Sequence, residues 1–378
     1  MKSLYWRSNH VSTRQLVAVA VLAVGGLAWV ETSPIEERDP LFEQKLAAAR
    51  LAEQGFRAVN LERIRLQIPL EPEFDPAGSG LIGPAHTPIV SNEGHLASKQ
   101  TSANPNFAAV FVEMLHEAGV REGDRVAVTA TGSFPAMNIT MFAALETMGA
   151  RPMVISSVAS SEFGATHPEL TWLDMERVLY EAEVIGFRSV AASLGGVVDI
   201  ARNHSDEGRA LLTAALARND CRLLTPRDYD HAVSLRLALF DELRGDDPIR
   251  AFVNIGGGTA AVGKAEDKVD FAAGLNTELP SGLENPSVMR AYLEAGTPAI
   301  HVSRIRSLAR SFGLADVPME VPRPGEGGVF RLAIIPPWTI ALTLLAIFLA
   351  MWAATRFDLF AIFQRRRAEQ KSGPVQMV

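Results

Sequence analysis

The sequence predicts an α/β fold: a doubly wound, mostly parallel sheet forming one outer domain, flanked by an N-terminal and a C-terminal transmembrane helix. Three observations predict it. From Phe107 onwards, short apolar runs alternate with longer amphipathic ones, the order that gives parallel strands and right-handed crossovers. An uncharged apolar segment lies near each end of the 378-residue chain. The charge flanking these segments is basic, whereas the stretch between them is acidic.

The net charge of −7 hides that division. Lys2, Arg7 and Arg14 give residues 1–15 a charge of +3, and Arg356, Arg365, Arg366, Arg367 and Lys371 outweigh Asp358 and Glu369 by the same amount. Residues 31–331 therefore carry −13. Lys and Arg close to a span mark its cytoplasmic side, so both tails, 1–15 and 356–378, are expected in the cytoplasm. The protein is then a two-pass protein of the cell membrane with an extracytoplasmic main domain, and membrane lipid is one of its partners. The second segment, Leu332 to Thr355, has 24 uncharged residues with Trp338 and Trp352 near its ends, long enough to span. The first, Leu16 to Val30, has 15, which fits a retained signal anchor or a cleaved signal peptide. The lack of a small-x-small site before Glu31 favours the anchor. An acidic outer domain excludes nucleic acid as the expected partner. The single cysteine, Cys221, allows no internal disulfide and reads as a small apolar residue at a strand start.

Residues 31–106 form the entry to the domain. Leu41 to Leu66 is rich in Ala, Leu, Glu, Arg and Gln and reads as an amphipathic helix. Residues 69–105 interleave six prolines with glycines but keep Leu81, Ile82, Ile89, Val90 and Leu96, so this segment is expected to wrap over the domain. The domain itself, 107–316, contains the helix Phe107 to Ala118, the strand Arg125 to Thr129, the helix Ala136 to Met148 and the strand Pro152 to Ser156. It continues as helix 172–182, strand 189–192, helix 206–217, strand 222–224, helix 229–243, strand 251–255, helix 286–295, strand 299–302 and helix 304–312, giving about six strands. A Pro/Gly-rich linker, 317–331, leads to the second anchor.

Three strands end alike, in Thr131-Gly132-Ser133, in Ser193-Leu194-Gly195-Gly196 and in Gly256-Gly257-Gly258-Thr259. Ligands of open α/β sheets bind outside the carboxyl ends of the strands, and small residues there let backbone N–H groups face an anion. The binding candidates are therefore Gly132, Ser133, Asn138, Ser193, Gly195, Gly196, Gly256, Gly257 and Gly258, although glycines also serve plain tight turns. Neither G-x-G-x-x-G nor a P-loop follows the first strand, and no nucleotide or other cofactor is expected. Ser133 occupies a strand-to-helix turn, the place of a hydrolase nucleophile, but without G-x-S-x-G; as a helix cap followed by Pro135 it needs no catalysis. Its candidate bases are His167, His204 and His301. No cluster has metal-ligand spacing. Ser156 to Glu176 is an unusually polar connection around Trp172, readable as a substrate loop or as a solvated loop capped by Thr171.

Several blocks carry a family resemblance: Gly80-Leu81-Ile82-Gly83, Leu96 to Phe107, Gly132 to Asn138, Ile155 to Val158, Thr171 to Glu176, Ala191 to Gly196 and Asn254 to Gly258. In this order, over about 80–260, they resemble the poly-gamma-glutamate system protein family. Val197-Val198-Asp199 departs from the more polar run expected there. The resemblance implies a membrane-attached accessory component of poly-gamma-glutamate synthesis or export, with the synthetase subunits as partners and the polymer chain as a ligand; it brings no catalytic residues. Any contact with that polyanion has to be confined to the glycine-loop crevice, with Lys99, Arg188 or Lys264 as helpers. Three functions stay open at this point. They are an accessory protein binding polymer or synthetase, an extracytoplasmic hydrolase or transferase acting on the γ-linked polymer through Ser133, and a scaffold that binds no small molecule.

Overall fold

The computed structural model describes residues 13–356; most of both basic tails, with Lys2, Arg7 and the run Arg365 to Lys371, lies outside the described residues. Two compact units divide the chain, one formed by the residues up to Arg38 and from Leu332, the other by Asp39–Arg331.

In the first unit, α1 (Thr13–Glu31) is followed by β1 (Ile35–Arg38). The returning chain forms β9 (Arg331–Ile334), which pairs with β1, and α13 (Pro337–Arg356). Thr13–Glu31 and Pro337–Thr355 are each 19 residues long and apolar enough to cross a membrane. They pack together: Trp29 meets Trp338 edge-on with centroids 6.2 Å apart, and Gly26 leaves room for Thr343, whose Cγ2 lies 2.5 Å from where a Cβ would stand. The apolar run expected to be helical from Leu332 is divided. Leu332 to Ile334 are strand and the helix opens at Pro337, because a proline drives the preceding residue out of the helical region and suits the first helical position.

The second unit is mixed α/β around a seven-stranded, mostly parallel sheet. Along the chain come α2 (Phe42–Arg65), α3 (Leu96–Ser102), α4 (Phe107–Glu117), β2 (Arg125–Thr131), α5 (Pro135–Thr147), β3 (Arg151–Ser157), α6 (Trp172–Glu181), β4 (Ala191–Ser193), α7 (Asp206–Arg218) and β5 (Arg222–Leu223). Then follow α8 (Tyr229–Arg244), β6 (Ile249–Ile255), α9 (Thr259–Val262), α10 (Ala265–Lys268), β7 (Gly274–Asn276), α11 (Val288–Glu294), β8 (Ala299–Val302) and α12 (Ile305–Ser311). The strand order is β5-β4-β3-β2-β6-β8-β7. All neighbours are parallel except β7, which runs against β8 as an edge strand that the sequence reading did not foresee.

Both faces of the sheet are covered, which explains why its strands read as continuous apolar runs. Val126, Val128 and Ala130 of β2 join a core with Phe56, Phe111, Phe142 and Leu173. Ala127, Ile155 and Phe252 point the other way and join Phe240, Ala260 and Met289.

The proline-rich segment is fastened to the domain. The buried Arg63 guanidinium donates to the carbonyls of Pro69, Gly80 and Ile82 at 2.6, 3.2 and 2.9 Å, supplying partners for turns that lack a ladder. Further on Ile89 is wholly buried, and Ser91 N–H donates to Ser160 O at 2.7 Å. The wrap thereby lies on the loop that follows β3.

Candidate functional site

From β2 the chain winds outward through β3, β4 and β5, then returns to lay β6 on the other side of β2. The loops after β2 and β6 leave a switch point of strand order, where open α/β sheets form their crevice. The two loops touch. Thr131 Oγ1 donates to Ile255 O at 3.3 Å and accepts from Ser133 N–H at 3.4 Å. A Cβ on Gly256, which has φ +95°, would stand 2.3 Å from that same oxygen. Only glycine satisfies both the backbone and the space. Gly256→Ala is expected to cost about 1–3 kcal/mol of stability and to part the two loops; an unchanged urea midpoint would contradict this.

On the β6–β8 side a polar chain crosses the sheet. Thr129 Oγ1 donates to Asn254 Oδ1 at 3.0 Å, and Asn254 Nδ2 donates to Gly256 O at 2.6 Å and meets His301 Nδ1 at 3.1 Å. An amide nitrogen can only donate, so Nδ1 accepts and the imidazole is neutral with its proton on Nε2. Burial, with Arg304 and Lys268 nearby, pushes His301 down to about 4. Lys268 Nζ donates to Gly257 O at 2.6 Å, and burial lowers it. Arg304 Nη2 donates to Val269 O at 2.7 Å. Among the described residues neither cation has a carboxylate partner, and the enclosed Ser303 Oγ has no hydrogen-bond partner. Lys268 thus sets one cation against the loop after β6.

The loop after β4 lies one strand further out and reaches the others through the turn Val197–Asp199, which runs beside α9. Gly195 and Gly196 take φ +82° and +74°, with Gly195 against Ala159. Ser193, a binding candidate by sequence, is wholly buried. Its Oγ lies 2.5 Å from Asp199 Oδ1 and 3.1 Å from Arg236 Nη2, inside the Arg236–Asp199 ion pair of 2.5 Å. It builds the floor of the loop and offers no free hydrogen bond to a ligand.

Gly132 O accepts from Ser160 Oγ at 2.9 Å. Asn138 is buried and donates to Thr131 O at 2.9 Å, while its Oδ1 has no partner among the described residues. Ser133 Oγ accepts Ser161 N–H at 3.0 Å and meets no histidine among the described residues. His167 is held in its own loop by Glu169 N–H, at 3.3 Å from Nδ1, and burial lowers its pKa. His204 Nε2 faces Ile89 O. Lys99 reaches the β2 loop from α3: its Nζ donates to Ser133 O, stands 2.8 Å from Ser161 Oγ and lies over the Phe134 ring at 4.1 Å. Gly257 O accepts from Lys268 Nζ and Gly258 O from the N–H groups of Ala261 and Val262, whereas the N–H groups of Gly257 and Gly258 have no partner among the described residues.

Sequence reasoning did not single out Thr131, Lys268 or Arg304, and had Ser161 only as one residue of a polar run readable as a substrate loop. Ser161 sits in the polar run after β3, but nothing local ties it to Lys99, 62 residues away. Lys268 is hidden in the acidic stretch Glu266 to Asp270. Comparison with family models, curated proteins and solved structures finds no match.

Proposed function

We propose that the protein is a membrane-anchored accessory component of poly-gamma-glutamate synthesis or export. Its doubly wound outer domain holds carboxylates of the polymer in the crevice between the β2 and β6 loops, and the synthetase subunits are its partners in the membrane. One observation carries the binding step: Lys268, a cation without a carboxylate partner among the described residues, stands against Gly257, and the N–H groups of Gly257 and Gly258 have no partner among those residues. A carboxylate held by backbone N–H groups and such a cation forms charge-assisted hydrogen bonds. Elsewhere residues 31–331, at −13, repel a polyanion, which confines contact to this edge.

The full chain in detergent micelles, titrated with poly-gamma-glutamate, is expected to bind in low salt and more weakly in high salt. Lys268→Glu is expected to weaken binding by at least about tenfold, the worth of one charge-assisted hydrogen bond. Absence of binding, or binding indifferent to Lys268→Glu, would overturn the assignment.

A further inference from the structure

The hydroxyl placed beside a buried amine is that of Ser161 and not Ser133. Lys99 is only 3 % exposed and, among the described residues, has no carboxylate partner. Glu162, a charged group that acts on it, spends its carboxylate on Gly94 N–H at 3.1 Å and stands 3.6 Å from His86 Nδ1. An unpaired ammonium is costly to bury, and such lysines give up their proton readily. Burial pushes Lys99 down to about 7.

The neutral amine fits its surroundings. The ammonium donates to Ser133 O and to Ser161 Oγ at 2.8 Å and lies over the Phe134 ring; once it loses a proton its two N–H bonds serve Ser133 O and the ring, and the lone pair then accepts from the Ser161 hydroxyl. Ser133 has a separate part. Its Oγ accepts Ser161 N–H at 3.0 Å and so fixes the serine backbone beside the amine. Ser160 Oγ, 2.7 Å from Ser161 O, fixes it from the other end.

We infer that Lys99 and Ser161 form an acyl-transfer dyad, Ser161 as nucleophile and Lys99 as general base, acting on an amide whose acyl group belongs to a carboxylate-bearing chain. The choice of poly-gamma-glutamate as that chain rests on the proposed function; the dyad does not. Ser161 Oγ attacks the amide carbonyl carbon while its proton passes to Lys99 Nζ. The C–N bond then breaks, the amine leaves with the proton from Nζ, and an ester on Ser161 remains. Water, activated by the neutral amine, hydrolyses the ester and regenerates the hydroxyl; a second amine in place of water gives transfer. Nothing is oxidised or reduced.

The test is labelling of the intact chain in detergent by a fluorophosphonate, a probe for activated serine hydroxyls. The label is expected on Ser161, formed faster as pH rises through about 7, and to fall to background in Ser161→Ala. Lys99→Met is expected to slow it by about 100-fold or more, and Lys99→Arg, which can still donate to Ser133 O but has no lone pair to act as a base, by a similar factor. In Ser133→Ala, which removes the acceptor of Ser161 N–H, the label is expected to form more slowly but still to map to Ser161. Thermal melts of the variants report folding, and if Lys99→Met is unfolded the Arg variant decides. Labelling absent, labelling on another residue, or labelling equally fast in folded Lys99→Arg would overturn the dyad. Added poly-gamma-glutamate is expected to slow labelling. Polymer binding without labelling would discard the dyad and keep the binding reading, and labelling that the polymer leaves unchanged would discard the polymer as substrate.

Discussion

Asp199→Asn is expected to lose about 3 kcal/mol of folding stability, because it leaves a buried guanidinium without its counter-charge. Arg236 and Asp199 are 4 % and 7 % exposed and 2.5 Å apart, and Ser193 and Ser157 complete the cluster with bonds of 2.5 and 3.3 Å to Asp199 Oδ1. Asparagine accepts the φ of +65° that Asp199 adopts, since its short amide tolerates the left-handed region. The loss therefore reports charge and not backbone strain. For a unit of this size it amounts to a lowering of the melting midpoint by on the order of 10 °C. Adding Arg236→Met is expected to restore most of it, because a buried pair replaced whole costs far less than a pair broken. Urea denaturation of both variants checks this. A single variant within about 0.5 kcal/mol of the parent, the range of ordinary surface changes, would show that the pair does not hold the loop after β4.

The second large effect is a pH dependence. Glu176 is 1 % exposed, and burial pushes its carboxyl up to about 7 from an ordinary 4.5, against the pull of two hydrogen bonds from Ser189 at 2.7 and 2.9 Å and of Arg188. Its folded value lies above its unfolded one, so the neutral acid contributes stability that is complete below about pH 4.5 and lost as pH rises through about 7. The difference corresponds to about 3 kcal/mol. Glu176→Gln, uncharged at every pH, is expected to remove this slope and to exceed the parent in stability at about pH 8. Unfolding midpoints of parent and variant at about pH 5 and about pH 8 measure it. Parallel behaviour of the two would mean that Glu176 is not the group responsible.

The central strands were legible because burial on both faces writes an unbroken apolar run. Arg125–Thr131 and Ile249–Ile255 show it. β7 was not legible. Gly274-Leu275-Asn276 has no strand signal of its own, and its position comes from pairing with β8. The four-residue helices α9 and α10 are likewise set by the packing around them. At the site, glycine loops at strand ends pointed to Gly132 and Gly256 by a local rule, and the strand order brings those two loops together. Side-chain partnerships obeyed no local rule. Ser193 stood in a binding loop by sequence, yet a partner 43 residues away, Arg236, takes its hydroxyl. Lys99 stood out only as a cation, whereas its place beside Ser161 depends on how the proline-rich wrap folds back.

Hydrogen exchange of the full chain, with and without poly-gamma-glutamate, tests the central claim most directly. Gly257 and Gly258 carry the amides of the proposed carboxylate site, which the loop after β2 borders through Thr131. The account predicts that their exchange slows on adding polymer, and that Lys268→Glu abolishes the change. Unaltered exchange at Gly257 and Gly258 under conditions where polymer binds, or protection confined to another surface, would contradict it.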